Sequence, residues 1–288
     1  MGKRQITGAA VALCLLMSAC SPTQLAPAPA PRVRPAAAPA ESPTIYPVGL
    51  RRLNLRRGPD RPLPTLVFYP ADRGLPAAGR FPLVLFCHGL SGSPERYAAT
   101  LAGFASAGFV VVAPTFPHTS EFTEDFRRSD IARQPADARF VLARMRRLNL
   151  TPGDPLRRRI NTDRIAVIGH SAGGYTVTGL LTAGHDPRLR AAVVMAGWAA
   201  PGAFEGPPVT MLFVQGTADP IVPVAVSRGV YDRVPWPKSY LLLRRDSHAT
   251  YLKPGDIGYK RMRSVVTNFL RWTLDGDQAA GRRLPRQD

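Results

Sequence analysis

Between residues 48 and 274 the chain alternates short, nearly all-apolar runs with amphipathic segments of helix length, and no other feature limits its fold as tightly. The strand-like runs are 48–55, 64–69, 83–87, 109–113, 164–168, 191–196, 210–214 and 239–243. The helix-like segments between and after them are 95–107, 136–148, 172–182, 223–234 and 258–274. A strand that alternates polar and apolar residues has one wet face, whereas the middle runs here are apolar throughout, as parallel strands covered on both faces must be. The pattern predicts an α/β fold: a mostly parallel central sheet of about eight strands flanked by helices. The first two runs are joined by Gly58-Pro59-Asp60, a turn signal, and should form an antiparallel hairpin leading into the parallel part.

Chemistry concentrates where these runs end. Gly169-His170-Ser171-Ala172-Gly173 fits the G-x-S-x-G pattern, in which glycines allow a sharp strand-to-helix turn that lifts a serine hydroxyl out of the sheet. Alone the pattern is weak, but Ile165-Ala166-Val167-Ile168 precedes it as a buried-strand run and a small-residue helix segment follows it. A serine hydroxyl needs a base, and the base needs an orienting carboxylate. Asp219 follows the run 210–214 and His248 follows the run 239–243, so both fall at strand exits and in the chain order Ser, Asp, His. The competing readings are a turn-forming Asp before Pro220 and a solvated loop histidine. Asp232 falls inside a helix segment, Asp246 is only two residues from His248, and His185 follows the helix after Ser171, toward the wrong end of the sheet. His118 precedes the serine and is the serious rival as base, while His170 and His88 are read as site wall. Acyl transfer also needs donors for the developing oxyanion, and the backbone N–H groups of Leu90 and Ala172 are the candidates. Leu90 follows the His88-Gly89 turn, for which an ordinary Gly/Ser loop is the alternative. Metal-ligand spacing and phosphate-binding glycine loops are absent, so neither metal nor cofactor is expected.

With these motifs in hand, residues 81–274, about two thirds of the chain, resemble the bacterial α/β-hydrolases related to dienelactone hydrolase and to the platelet-activating-factor acetylhydrolase group. The residues that carry the resemblance are Phe86-Cys87-His88-Gly89, Gly108-Phe109-Val110-Val111-Val112-Ala113-Pro114, Pro135-Ala136-Asp137-Ala138-Arg139 and Gly169-His170-Ser171-Ala172-Gly173-Gly174-Tyr175. It implies an α/β-hydrolase fold and a serine esterase. Dienelactone hydrolases proper use a cysteine nucleophile, so Ser171 does not carry over a lactone substrate, and the His-Gly-Gly-Gly loop of hormone-sensitive-lipase relatives is missing at Leu90. Related polyester-degrading and cutinase-like enzymes place a Trp just past the strand after the nucleophile helix, where Trp198 stands. Trp198 and His88 are therefore expected to line the substrate pocket, with core packing the other use for the Trp. Phospholipid cleavage or acetylhydrolysis, peptide cleavage on the same fold, and a non-catalytic envelope-binding role are the alternatives to plain ester hydrolysis.

The N-terminal twenty residues run from Lys3 and Arg4 through an apolar stretch to Ser18-Ala19-Cys20, the layout of an export signal and too short to span a bilayer. Met17-Ser18-Ala19-Cys20 resembles the lipobox of bacterial lipoproteins, which implies a signal peptide over 1–19 and a lipidated Cys20; a plain export signal is the alternative. Residues 20–43 are mainly Ala and Pro and are expected to form an extended tether, followed by one domain over 44–275 and a flexible tail over 276–288. The expected location is the cell envelope, at the outer membrane rather than the inner, because Ser21 lacks the acid that retains such lipoproteins. Of three cysteines, processing would leave Cys87 without a partner, a small buried hydrophobe rather than a reactive thiol. The net charge of +18 favours anionic surfaces, but the arginines are scattered without a nucleic-acid motif. Ester substrates, the membrane through Cys20 and no nucleic acid are the expected partners, and the domain is expected to be monomeric.

Overall fold

In the computed structural model the chain divides into a unit of residues 1–40 and a unit of residues 41–288. The structure describes residues 44–182 and 184–285, all in the second unit. The expected signal peptide over 1–19, the lipidated Cys20 and the tether over 20–43 lie outside the described residues.

The strands are β1 (Val48–Arg56), β2 (Pro62–Asp72), β3 (Leu75–Pro76), β4 (Phe81–Cys87), β5 (Val110–Pro114), β6 (Ile160–His170), β7 (Leu189–Met195), β8 (Thr210–Gly216) and β9 (Lys238–Leu243). The helices are α1 (Ala98–Ser106), α2 (Gln134–Leu148), α3 (Ala172–Leu180), α4 (Val224–Arg233), α5 (Tyr259–Leu270) and α6 (Gln278–Arg282). The sheet runs β1-β2-β5-β4-β6-β7-β8-β9, with the two-residue β3 folded back on β2. β2 pairs antiparallel with both β1 and β5, and every pair from β5 to β9 is parallel. This is the mostly parallel, helix-flanked sheet of the α/β-hydrolase fold.

Alternation along the central strands explains why they are apolar throughout. Leu83, Leu85, Ile165, Val167, Ala192 and Val194 pack on one face against Val141 and Met145 of α2 and Val177 of α3. Val84, Phe86, Ala166, Ile168, Ala191 and Val193 pack on the other against Leu101 and Phe104 of α1 and Val266 and Phe269 of α5. β1 lies at one end of the strand order and carries Arg51, Arg52 and Arg56; Arg52 and Arg56 are exposed.

Besides the unexpected two-residue β3, several boundaries depart from the sequence expectation. β6 begins at Ile160, earlier than 164, because Ile160 is buried and pairs with Phe81 ahead of a register shift. The segment 95–107 opens with a 3₁₀ turn, Glu95–Tyr97, before α1 begins. The segment 258–274 ends in a π-helical turn, Arg271–Asp275, halted by Gly276 in the left-handed region at φ 75°. The expected flexible tail from 276 instead carries α6, because the Asp277 side chain accepts from the Ala280 amide at 2.9 Å and Ala280 is buried.

Candidate active site

The turn after β6 puts Ser171 at φ 56°, a backbone conformation that is strained for a residue with a side chain. It is held there by hydrogen bonds from the Ser171 amide to the Met195 carbonyl at 2.9 Å and from the Gly174 amide to the Ser171 carbonyl at 2.8 Å. The glycines are steric requirements: a Cβ at Gly169 would overlap the Gly173 carbonyl, and one at Gly173 would overlap the Cys87 carbonyl at the end of β4. The main chain of α3 therefore approaches β4 more closely than any side chain permits.

Past β8, Asp219 is anchored by the amides of Ile221 and Val222, each 2.9 Å from Oδ1. Its Oδ2 accepts from His248 Nδ1 at 2.8 Å and from Gln215 Nε2 at 3.0 Å, and its side chain has no exposed surface. Burial alone would raise the carboxyl, but the Val222 amide, the His248 ring and the Ile221 amide outweigh it and hold the group below the usual carboxylate range. An ionised carboxylate only accepts, so His248 Nδ1 carries the proton and the Nε2 of neutral His248 is left as a lone pair.

Ser171 and His248 line one cavity of about 400 Å³ together with Leu90, Trp198, Arg128, Ile221, Val222 and Val226. Ile221 and Val226 are exposed at its rim. Ala172, first residue of α3, has an amide without an intrahelical acceptor. In the loop after β4, hydrogen bonds run from the Ser91 amide to the Thr119 carbonyl and from the Gly92 amide to the Gly89 carbonyl, and neither uses the Leu90 amide. Trp198 is half-buried, with its ring 6.4 Å from that of Tyr175.

His88 does not line this cavity, contrary to the sequence expectation. It is fully buried; its Nε2 accepts from the Phe116 amide at 3.0 Å, so its Nδ1–H donates to the Gly89 carbonyl at 2.7 Å. Burial pushes its ring down to about 4, and it ties two loops together behind the site. His170 is also buried. Burial, reinforced by the neighbouring His248, pushes its ring down to about 4. Neutral His170 donates from Nε2 to the His248 carbonyl at 2.8 Å and can accept from the Tyr97 hydroxyl, 3.3 Å from Nδ1.

The rejected rivals have other work. Asp246 Oδ1 accepts from Thr250 Oγ1 and the Gly258 amide, shaping the His248 loop. His118 lies 3.3 Å from Asp125 and is not among the cavity-lining residues, and His185 lies against the Pro207 carbonyl. Cys87 is buried, and burial raises its thiol well above its usual value. Among the described residues no three His, Cys, Asp or Glu side chains cluster as a metal site would require. Sequence reasoning missed Gln215 and Arg128. Gln215 is a lone polar residue in an apolar run, a readable signal, whereas Arg128 is one of many charges in 116–133 and carries none.

Comparison with known proteins adds three findings. The family model for PET hydrolase-like proteins matches residues 64–281. The chlorophyllase-1 of Citrus unshiu chloroplasts is 32% identical over 126 residues, 42% of this chain and 33% of that one. The cutinase est2 of Thermobifida alba is 28% identical over 186 residues, 63% of this chain and 56% of that one. The chain thus matches between a third and a little over half of these relatives' lengths.

Proposed function

The chain belongs to the PET hydrolase-like family, and from that premise we propose that it is a serine hydrolase of carboxylic esters with Ser171 as nucleophile, His248 as base and Asp219 as orienting acid. The observation that carries this reading is the 2.8 Å bond from His248 Nδ1 to a buried, ionised Asp219, beside a serine that shares one cavity with that histidine. The family's name and the cutinase among the relatives support an ester as the bond that is cut.

In the proposed mechanism, His248 Nε2 takes the Ser171 proton as the hydroxyl oxygen attacks the ester carbonyl. The negative charge that develops on the carbonyl oxygen is met by the amides of Leu90 and Ala172. Collapse expels the alcohol, protonated by His248, and leaves an acyl-enzyme. Water then attacks with His248 again as base, releasing the acid and restoring Ser171. The apolar lining contributed by Trp198, Val222 and Val226 suits an apolar acyl or alcohol group. Export and lipidation at Cys20 belong to the same proposal, which would hold the enzyme at the cell envelope; their support is the sequence of residues 1–20.

The test is hydrolysis of p-nitrophenyl esters of graded acyl length, with a fluorophosphonate probe for the nucleophile. Ser171→Ala should lose at least about 10³-fold in kcat and all labelling, with its thermal transition intact. Labelling at another residue, or near-full turnover by the variant, rejects the assignment.

A further inference from the structure

The cavity holding Ser171 and His248 is apolar along most of its wall, and one of its lining residues is a cation, Arg128. Arg128 opens a 3₁₀ segment, Arg128–Arg133, that is tightly fixed. Arg61 grips buried Asp130 from this segment with two bonds of 2.8 and 3.0 Å, and the Asp130 amide donates to the Arg127 carbonyl at 2.9 Å. At the other end of the segment, Gln134 bonds Thr119 at 2.7 Å and receives a bond from Thr176 of α3 at 2.6 Å. Two neighbouring charges are already matched: Arg127 with Asp125, and Asp130 with Arg61. Among the described residues Arg128 has neither ion pair nor side-chain hydrogen bond, and it is exposed.

A guanidinium on a fixed segment, unpaired and bordering the cavity, is suited to grip a carboxylate or phosphate with two parallel hydrogen bonds. Resting on the reading of this cavity as an ester site, we propose that Arg128 is a substrate-binding residue that selects esters carrying an anionic group, a carboxylate or a phosphate, a short distance from the scissile bond. The net charge of +18 favours the approach of such substrates, but it does not discriminate position. Arg128 supplies the position.

The test uses two matched pairs, one for each side of the ester. p-Nitrophenyl hexanoate and p-nitrophenyl hydrogen adipate differ by a carboxylate on the acyl chain; phenyl acetate and para-acetoxybenzoate differ by one on the leaving group. For at least one pair, Arg128→Gln should lower the ratio of kcat/KM, anionic over neutral, by about five- to tenfold, mainly through KM, because an exposed charge pair is screened and gives a modest effect. Arg128→Glu should lower it further, Arg128→Lys should retain part of it, and added salt should narrow the wild-type ratio. Arg261→Gln, exposed on α5 and outside the cavity, removes the same charge and should leave the ratio unchanged. An unchanged ratio in Arg128→Gln for both pairs overturns the proposal. So does an equal loss on both members of a pair, which marks a scaffold role, or an equal shift in the Arg261 variant. If the wild type cleaves none of the four compounds, the ester-hydrolase reading itself falls, and the proposal with it.

Discussion

A buried imidazole that stays neutral in the fold becomes a burden in acid, and His88 and His170 are two of them. Both are held down to about 4 against an ordinary 6.5, first by burial. Between those values the unfolded chain binds protons that the folded one refuses, so stability is complete above pH 6.5 and drains away as pH falls toward 4. Each group would cost on the order of 3 kcal/mol by the bottom of that window. A thermal-melt series over this range should therefore fall less steeply for His170→Gln than for wild type, and equal slopes would refute the linkage. Asp219→Asn belongs to the same scale. The asparagine oxygen can still receive the Ile221 and Val222 amides, so the loop should hold, but it no longer forces the proton onto His248 Nδ1. The expected loss in kcat is up to about 10⁴, read by steady-state kinetics against an unchanged melting curve. Ser171, Asp219 and His248 were legible as candidates because each sits where an apolar run stops, a feature written in local sequence. The bonds of His88 to Phe116 and of His170 to His248 were not legible, because they join residues 28 and 78 positions apart.

At the scale of elements, charge misleads where apolar pattern does not. Charged side chains stay at the surface unless they are paired, a rule that by itself would put the acids of segment 116–133 and of α2 outside. Instead Asp130 and Asp137 are buried, and Arg61, just ahead of β2, bonds both, while Arg57 reaches Asp137 at 2.6 Å. No local rule couples position 61 to 130 and 137; the coupling follows from β2 lying beside β5 in the sheet. Removing the cation would leave Asp130 without its ion-pair partner and Asp137 with only Arg57. Arg61→Met should thus cost about 3–5 kcal/mol in urea unfolding, and a loss below about 1 kcal/mol would argue that the cluster contributes no net stability. Apart from the two-residue β3, the strands were found within a few residues because a two-faced core demands unbroken apolar runs. Their ends were less legible, as at Ile160, where pairing across a register shift rather than composition sets the boundary.

For the molecule as a whole, the proposed attachment makes a separate prediction. Cys20→Ala should move the protein from the detergent-rich to the aqueous phase on Triton X-114 partition without altering its hydrolysis of a soluble ester, and a variant that still partitions with detergent would count against lipidation. Charge acts at this scale too. Open sheets are hazardous at their outermost strand, whose unpaired amides and carbonyls offer a template to any other extended chain. One of the two outermost strands here is β1, and on its outward face Arg52, which also pairs with Glu95, and Arg56 flank Asn54. A second copy adding itself there in antiparallel register would bring guanidinium groups toward one another, a repulsive pairing. Arginine on this face therefore opposes the addition of a further strand at the β1 edge.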